Sequence, residues 1–143
     1  MVARPILLVE DNDDDVMLTR HAVETSEIRN PLHHASTIGQ AKRYLTKLVS
    51  EQNLPALLVL DLQLPDGTGI ELLEWVRSQP PPIQELPALI VTGSYNRTDQ
   101  LRAERLGAIL FLRKPVDRLL LSTAIVHLGL RLSEGQQGSL IEQ

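Results

Sequence analysis

The chain contains no cysteine. Disulfides, cysteine-ligated zinc and a thiol nucleophile are therefore excluded, and the composition suits a reducing cytosol. Aromatic residues are scarce, at 3% of 143 positions. A core must then be aliphatic, and 27 leucines can build one. Long apolar runs are missing as well. None approaches the roughly 20 residues that span a bilayer, and the first, Ile6 to Val9, is too short for a signal-peptide core. Nor is there a surplus of positive charge: a net charge of −4 argues against a nucleic-acid-binding face. The expectation is one soluble, cytoplasmic domain, with neither membrane nor nucleic acid among its partners.

What is present is an alternation of short apolar runs with helical patterns. Ile6 to Val9, Ala56 to Leu60 and Ala88 to Val91 are apolar at every position. Without polar alternation, each reads as a strand buried on both faces. Leu32 to Ala35 and Leu110 to Leu112 are weaker candidates. Helices fit between them. The first starts at an Asn12 or Asp13 cap and runs to about Ser26, with Asp13, Asp14 and Asp15 stabilising its first turn and Leu18, Thr19, Ala22 and Val23 facing the sheet. Ala41, Tyr44, Leu45, Leu48 and Val49 mark a second helix, and Ile70, Leu73 and Val76 or Arg77 a third. A fourth runs from Thr98 to Leu106, and a last from Val116 to Leu132. Pro80-Pro81-Pro82 is a loop. Residues 1–132 are expected to form the domain, and 133–143 a flexible tail. The pattern predicts an α/β fold, (βα)5: a doubly wound parallel five-stranded sheet in the flavodoxin-like order 2-1-3-4-5.

Sites in such sheets form at the carboxyl ends of the strands. The first strand ends in Glu10-Asp11, the third in Asp61 and the fourth in Thr92; Lys114-Pro115 follows the fifth. The order 2-1-3-4-5 brings three carboxylates together. They repel one another unless a cation sits among them, and hard oxygen ligands of high negative charge suit Mg²⁺. A lysine and a threonine hydroxyl opposite could hold phosphoryl oxygens, and an aspartate can be a phosphoryl-accepting nucleophile. Gly67 and Gly69 read as turn residues with positive φ. The four histidines show no metal-ligand spacing.

LLVEDN, VLDLQLPDGTG, IVTGS and RKP, in that order and each at a strand end, resemble the receiver domain of two-component response regulators, over about Pro5 to Leu132. The resemblance implies that Asp61 accepts a phosphoryl group from a histidine kinase. Asp11 and Asp61 would ligate Mg²⁺ with the backbone carbonyl of Gln63, and Glu10 would act through a metal-bound water. Lys114 would pair with the phosphoryl group, across a cis bond to Pro115. Thr92 and Phe111, at the switch positions, would move together. Gln63 and Ser94, two residues beyond Asp61 and Thr92, would tune how long the phosphoryl group survives. EDNDDDVMLTRHAV, NPL and the proline loop before LPALIVTGS further resemble single-domain regulators of phytochrome-type kinases. Two features depart from that subgroup: Ser36-Thr37-Ile38 stands where a glycine is common, and an aromatic residue near the C-terminus is missing.

With only residues 133–143 beyond the expected domain, the expectation is that no output domain follows and that the output is protein–protein contact. The chain would be an enzyme only in promoting its own phosphorylation and dephosphorylation. In the last helix, Val116, Leu121, Ile125, Leu128 and Leu132 make one stripe for the sheet. Leu120, Ala124 and Leu130 are left over as a candidate interface for a partner or a second copy. A haloacid-dehalogenase-type phosphatase would need an acid where Gln63 stands. An FMN binder would not place Glu10-Asp11 against a phosphate. The remaining alternative is a non-phosphorylated pseudo-receiver that acts as a docking module.

Overall fold

Inner strands of a doubly covered sheet must be apolar at every position, because both faces meet helices. Strands β1 (Ile6–Val9) and β3 (Leu57–Leu60) meet that condition, with no side chain more than 2% exposed. The computed structural model describes residues 4–26 and 28–135. Helix α1 (Asp13–Glu24), strand β2 (Leu32–Ala35) and helix α2 (Ile38–Ser50) lie between these strands in the chain. Helix α3 (Gly69–Ser78), β4 (Ala88–Thr92), α4 (Arg97–Arg105), β5 (Leu110–Arg113) and α5 (Arg118–Gly135) follow. The strands pair in parallel in the order β2-β1-β3-β4-β5, the expected topology.

Strand side chains alternate between faces, so the sheet splits the core in two. Leu7, Val9, Leu58, Leu60 and Ile90 pack with α2 and α3 on one side. Ile6, Leu8, Leu57, Val59, Leu89 and Val91 pack with α1 and α5 on the other. Side-chain caps start the helices: Asn12, Thr37, Thr68, with Glu71 completing a capping box, and Asn96. Asp117 caps α5 by accepting from the Leu120 N–H at 2.9 Å.

Several boundaries differ from the sequence reading. The cap at Asp117 delays α5 to Arg118, and the helix continues past Leu132 to Gly135. Residues 136–143 of the expected tail lie outside the described residues. A two-residue antiparallel ladder, Gln63–Leu64 with Gly67–Thr68, closes the loop after β3 around the Pro65-Asp66 turn and was not among the expected strands. Val116, Leu121, Ile125 and Leu128 are buried as the α5 stripe requires. Leu120 is 51% exposed, Ala124 is half-buried, and Leu130 falls outside the residues whose side chains are described. No helix among the described residues is long and apolar enough to cross a membrane.

Candidate functional site

Strand register delivers the site. Val9 is level with Leu60, so the next residues, Glu10 and Asp61, leave the sheet side by side. The Glu10 N–H donates to the Ala35 carbonyl and the Asp61 N–H to the Val9 carbonyl, both at 3.0 Å. Thr92 is level with Arg113, and the Lys114 N–H donates to the Thr92 carbonyl at 2.7 Å. The His34 Nε2–H donates to the Glu10 carbonyl at 2.6 Å, which ties β2 to the same edge. The Lys114–Pro115 bond is cis.

Carboxylate oxygens of Glu10, Asp11 and Asp61 lie within 4.8 Å of one another. Glu10 and Asp61 are buried, at 3% and 5% exposure, whereas Asp11 is exposed. Burial, reinforced by the neighbouring Asp61 carboxylate, pushes the Glu10 carboxyl up to about 7, against the pull of Lys114. The Lys114 Nζ stands among these groups, 3.1 Å from Asp61 Oδ2 and 3.0 Å from Glu10 Oε1. Burial opposes its charge, but bonds to Asp15 and Glu10 and the attraction of Asp61 hold its pKa above the usual lysine range. The donor set is oxygen only, overcharged and partly buried. That chemistry fits a hard divalent cation at the cluster of Glu10, Asp11 and Asp61.

The other candidate residues surround this centre. The Gln63 N–H donates to Asp61 Oδ1 at 3.2 Å, and the Gln63 side chain is exposed. Thr92 is fully buried, and its Oγ1 accepts from the Ser94 N–H at 3.2 Å. Phe111 is half-buried in β5, level with Ile90. Leu120 and Ala124 lie on α5, apart from the carboxylate cluster.

Three features escaped the sequence reading. Asp15, read there only as a first-turn stabiliser, is the shortest partner of Lys114 at 2.6 Å. A signal existed: Asp15 shares the spacing i, i+4, i+7 with the buried Thr19 and Ala22, whereas Asp13 and Asp14 are exposed. Tyr95 packs edge-on against Phe111, with centroids 6.4 Å apart, and lies under the Arg113 guanidinium at 4.9 Å. Asp66 accepts from the Ile38 and Gly39 N–H groups at 2.9 and 3.0 Å and joins the loop after Asp61 to the start of α2. Those two bonds hold the Asp66 carboxyl below its ordinary pKa. The glycine reading needs one correction. Gly67 has φ of +149°, as expected, but Gly69 does not have positive φ. Gly69 is required because a Cβ there would collide with the Asp61 carbonyl.

A fold and site of this kind are those of a receiver domain, and the response regulator receiver domain family matches residues 6–126. The chain belongs to that family. It is 30% identical over 128 residues to the photosynthetic apparatus regulatory protein RegA of Rhodobacter capsulatus, a match that covers 88% of this chain and 63% of RegA. The chain thus spans less than two-thirds of that relative. The bacteriophytochrome response regulator AtBRR is 35% identical, with a TM-score of 0.72 over 90% of this chain and 94% of AtBRR. The Mn²⁺-bound form of response regulator Rcp1 is 28% identical, with a TM-score of 0.73 over 90% of this chain and 91% of Rcp1.

Proposed function

We propose that this receiver domain takes a phosphoryl group from a phosphohistidine of a sensor kinase onto Asp61, with Mg²⁺ in the site, and signals by protein–protein contact. One observation carries the reading: a buried Asp61 carboxylate faces the Lys114 ammonium at 3.1 Å beside a second and a third carboxylate. An Asp61 oxygen attacks phosphorus, the P–N bond to the donor histidine breaks, and its electron pair returns to the imidazole. Mg²⁺, when bound, offsets the carboxylate charge and that of the transferring phosphoryl oxygens. Lys114 exchanges its bond to Asp61 for one to a phosphoryl oxygen, and the Thr92 hydroxyl bonds another. Loss of the Thr92 hydroxyl from its resting position lets the half-buried Phe111 move, which shifts a pre-existing equilibrium at the β5 surface. Such a phosphodonor is made from ATP, and a cytoplasmic location belongs to the same reading.

Similarity to AtBRR supports a phytochrome-type kinase as the donor. Exposure of Leu120 supports a homodimer or partner contact through α5. Leu120→Glu should abolish any concentration-dependent dimer; an unchanged solution mass, with an unchanged kinase interaction, would remove α5 from consideration.

The test is intact-mass spectrometry after incubation with a small phosphodonor, with and without Mg²⁺. One adduct is expected, requiring both Mg²⁺ and Asp61. Folded, Mg²⁺-binding protein that takes no adduct would favour the docking-module alternative.

A further inference from the structure

We propose that Asp15 is a positioning residue for Lys114: it draws the ammonium outward from Asp61 and so raises the affinity of the site for Mg²⁺. The inference rests on the reading of the carboxylate cluster as one that takes Mg²⁺.

An ammonium has three N–H donors, and Lys114 Nζ spends one each on Glu10, Asp15 and Asp61. The bonds are unequal. Asp15 is nearest at 2.6 Å, against 3.0 and 3.1 Å for the other two. Their surroundings differ too. The Glu10 and Asp61 side chains are 4% and 6% exposed, and that of Asp15 is 31% exposed. Asp15 therefore marks the outer side of the lysine. It also stands outside the set of three carboxylates that converge on one point. A divalent cation at those three groups repels Lys114, and Asp15 is the partner with which the ammonium stays paired. Without it, Lys114 can remain paired only by holding the carboxylates that the cation needs. A cavity of about 90 Å³ adjoins Lys114 and all three of its carboxylate partners, so the ammonium is not packed solidly in place.

The experiment is Mg²⁺ titration of the full chain by calorimetry. Asp15→Asn should weaken Mg²⁺ binding by about fivefold, the upper range for a partly exposed ion pair. Asp14→Asn removes the same charge from the same turn without a bond to Lys114, and should weaken binding by less than about twofold. Asp15→Glu, which keeps an acceptor in reach, should restore most of the loss. A cycle with Lys114→Met sharpens the result: if Asp15 acts through the lysine, Asp15→Asn has little further effect once the ammonium is gone. An equal loss in Asp14→Asn and Asp15→Asn overturns the inference, as does an undiminished Asp15→Asn effect beside Lys114→Met. Wild-type protein that binds no Mg²⁺ overturns it together with the cofactor reading. Because the cycle reads Mg²⁺ alone, wild type that binds the ion and takes no adduct defeats the acceptor role of Asp61 separately.

Discussion

The inner strands β1 and β3 and the outer strand β5 carry different halves of the site on very different foundations. Every residue of β1 and β3 is buried, and these strands end in the carboxylates. In β5, Leu110 is 38% exposed and Phe111 and Leu112 are only partly covered; this strand leads to Lys114 and carries Phe111, the aromatic proposed to move. Nearby apolar side chains are also in solvent, Leu101 at 39% and Ile109 at 43%. The difference teaches that any division of labour is partial. Under the proposed function, Glu10 and Asp61, which would face the ion, follow directly from the fully buried strands. The rearranging groups of that reading are split between the two: Thr92 is fully buried on β4, whereas Phe111 and Lys114 belong to the less covered β5 edge.

The largest expected effect lies on the buried side: Asp61→Asn should eliminate the phosphoryl adduct in the intact-mass assay. Next is packing itself. Leu58→Ala should cost about 3 kcal/mol of unfolding free energy, whereas Leu110→Ala should cost less than about 1 kcal/mol. Equal losses in denaturant titrations would break the comparison. Smaller effects belong to the loops beyond the strand ends. Substituting Gln63 or Ser94 should change the lifetime of the adduct severalfold without preventing its formation; unchanged decay in both would show that neither residue governs water access.

The smallest effect concerns the charge imbalance in metal-free protein. Glu10 has its folded pKa raised to about 7 from its ordinary 4.5. Between those values the folded chain holds a proton that the unfolded chain has released, so stability should fall as pH rises through that window, with the loss complete above it. Glu10→Gln should flatten the slope of thermal stability against pH over that range. A slope unchanged by the substitution would mean that the buried carboxyl is not its source.

Strands β1, β3 and β4 were legible because uninterrupted apolar runs are what doubly covered strands require. The runs of β2 and β5 were weaker for a physical reason: both are edge strands, and of their residues only Ala35 is buried. The carboxylates, Thr92 and Lys114 were legible because the fold class says where strand ends converge. Asp15 was not, since an acid in the first turn of a helix already has a sufficient local explanation. Its second role depends on a lysine 99 residues away. Tyr95 and Asp66 were missed for the same reason, because each acts across loops whose approach no local pattern encodes. Gly69 was noticed but misattributed: what demands it is the Asp61 carbonyl against which it lies, not a left-handed backbone.

Whether Asp61 is the acceptor can be read at the level of one residue. A phosphorylated carboxyl is an acyl phosphate, and borohydride reduces it to an alcohol, so the acceptor aspartate becomes homoserine. Protein treated with a small phosphodonor, reduced and sequenced by mass spectrometry should carry homoserine at position 61, only when Mg²⁺ was present. Homoserine at position 11 instead, or modification at position 61 that persists without Mg²⁺, would contradict the assignment of Asp61 as a metal-dependent phosphoryl acceptor.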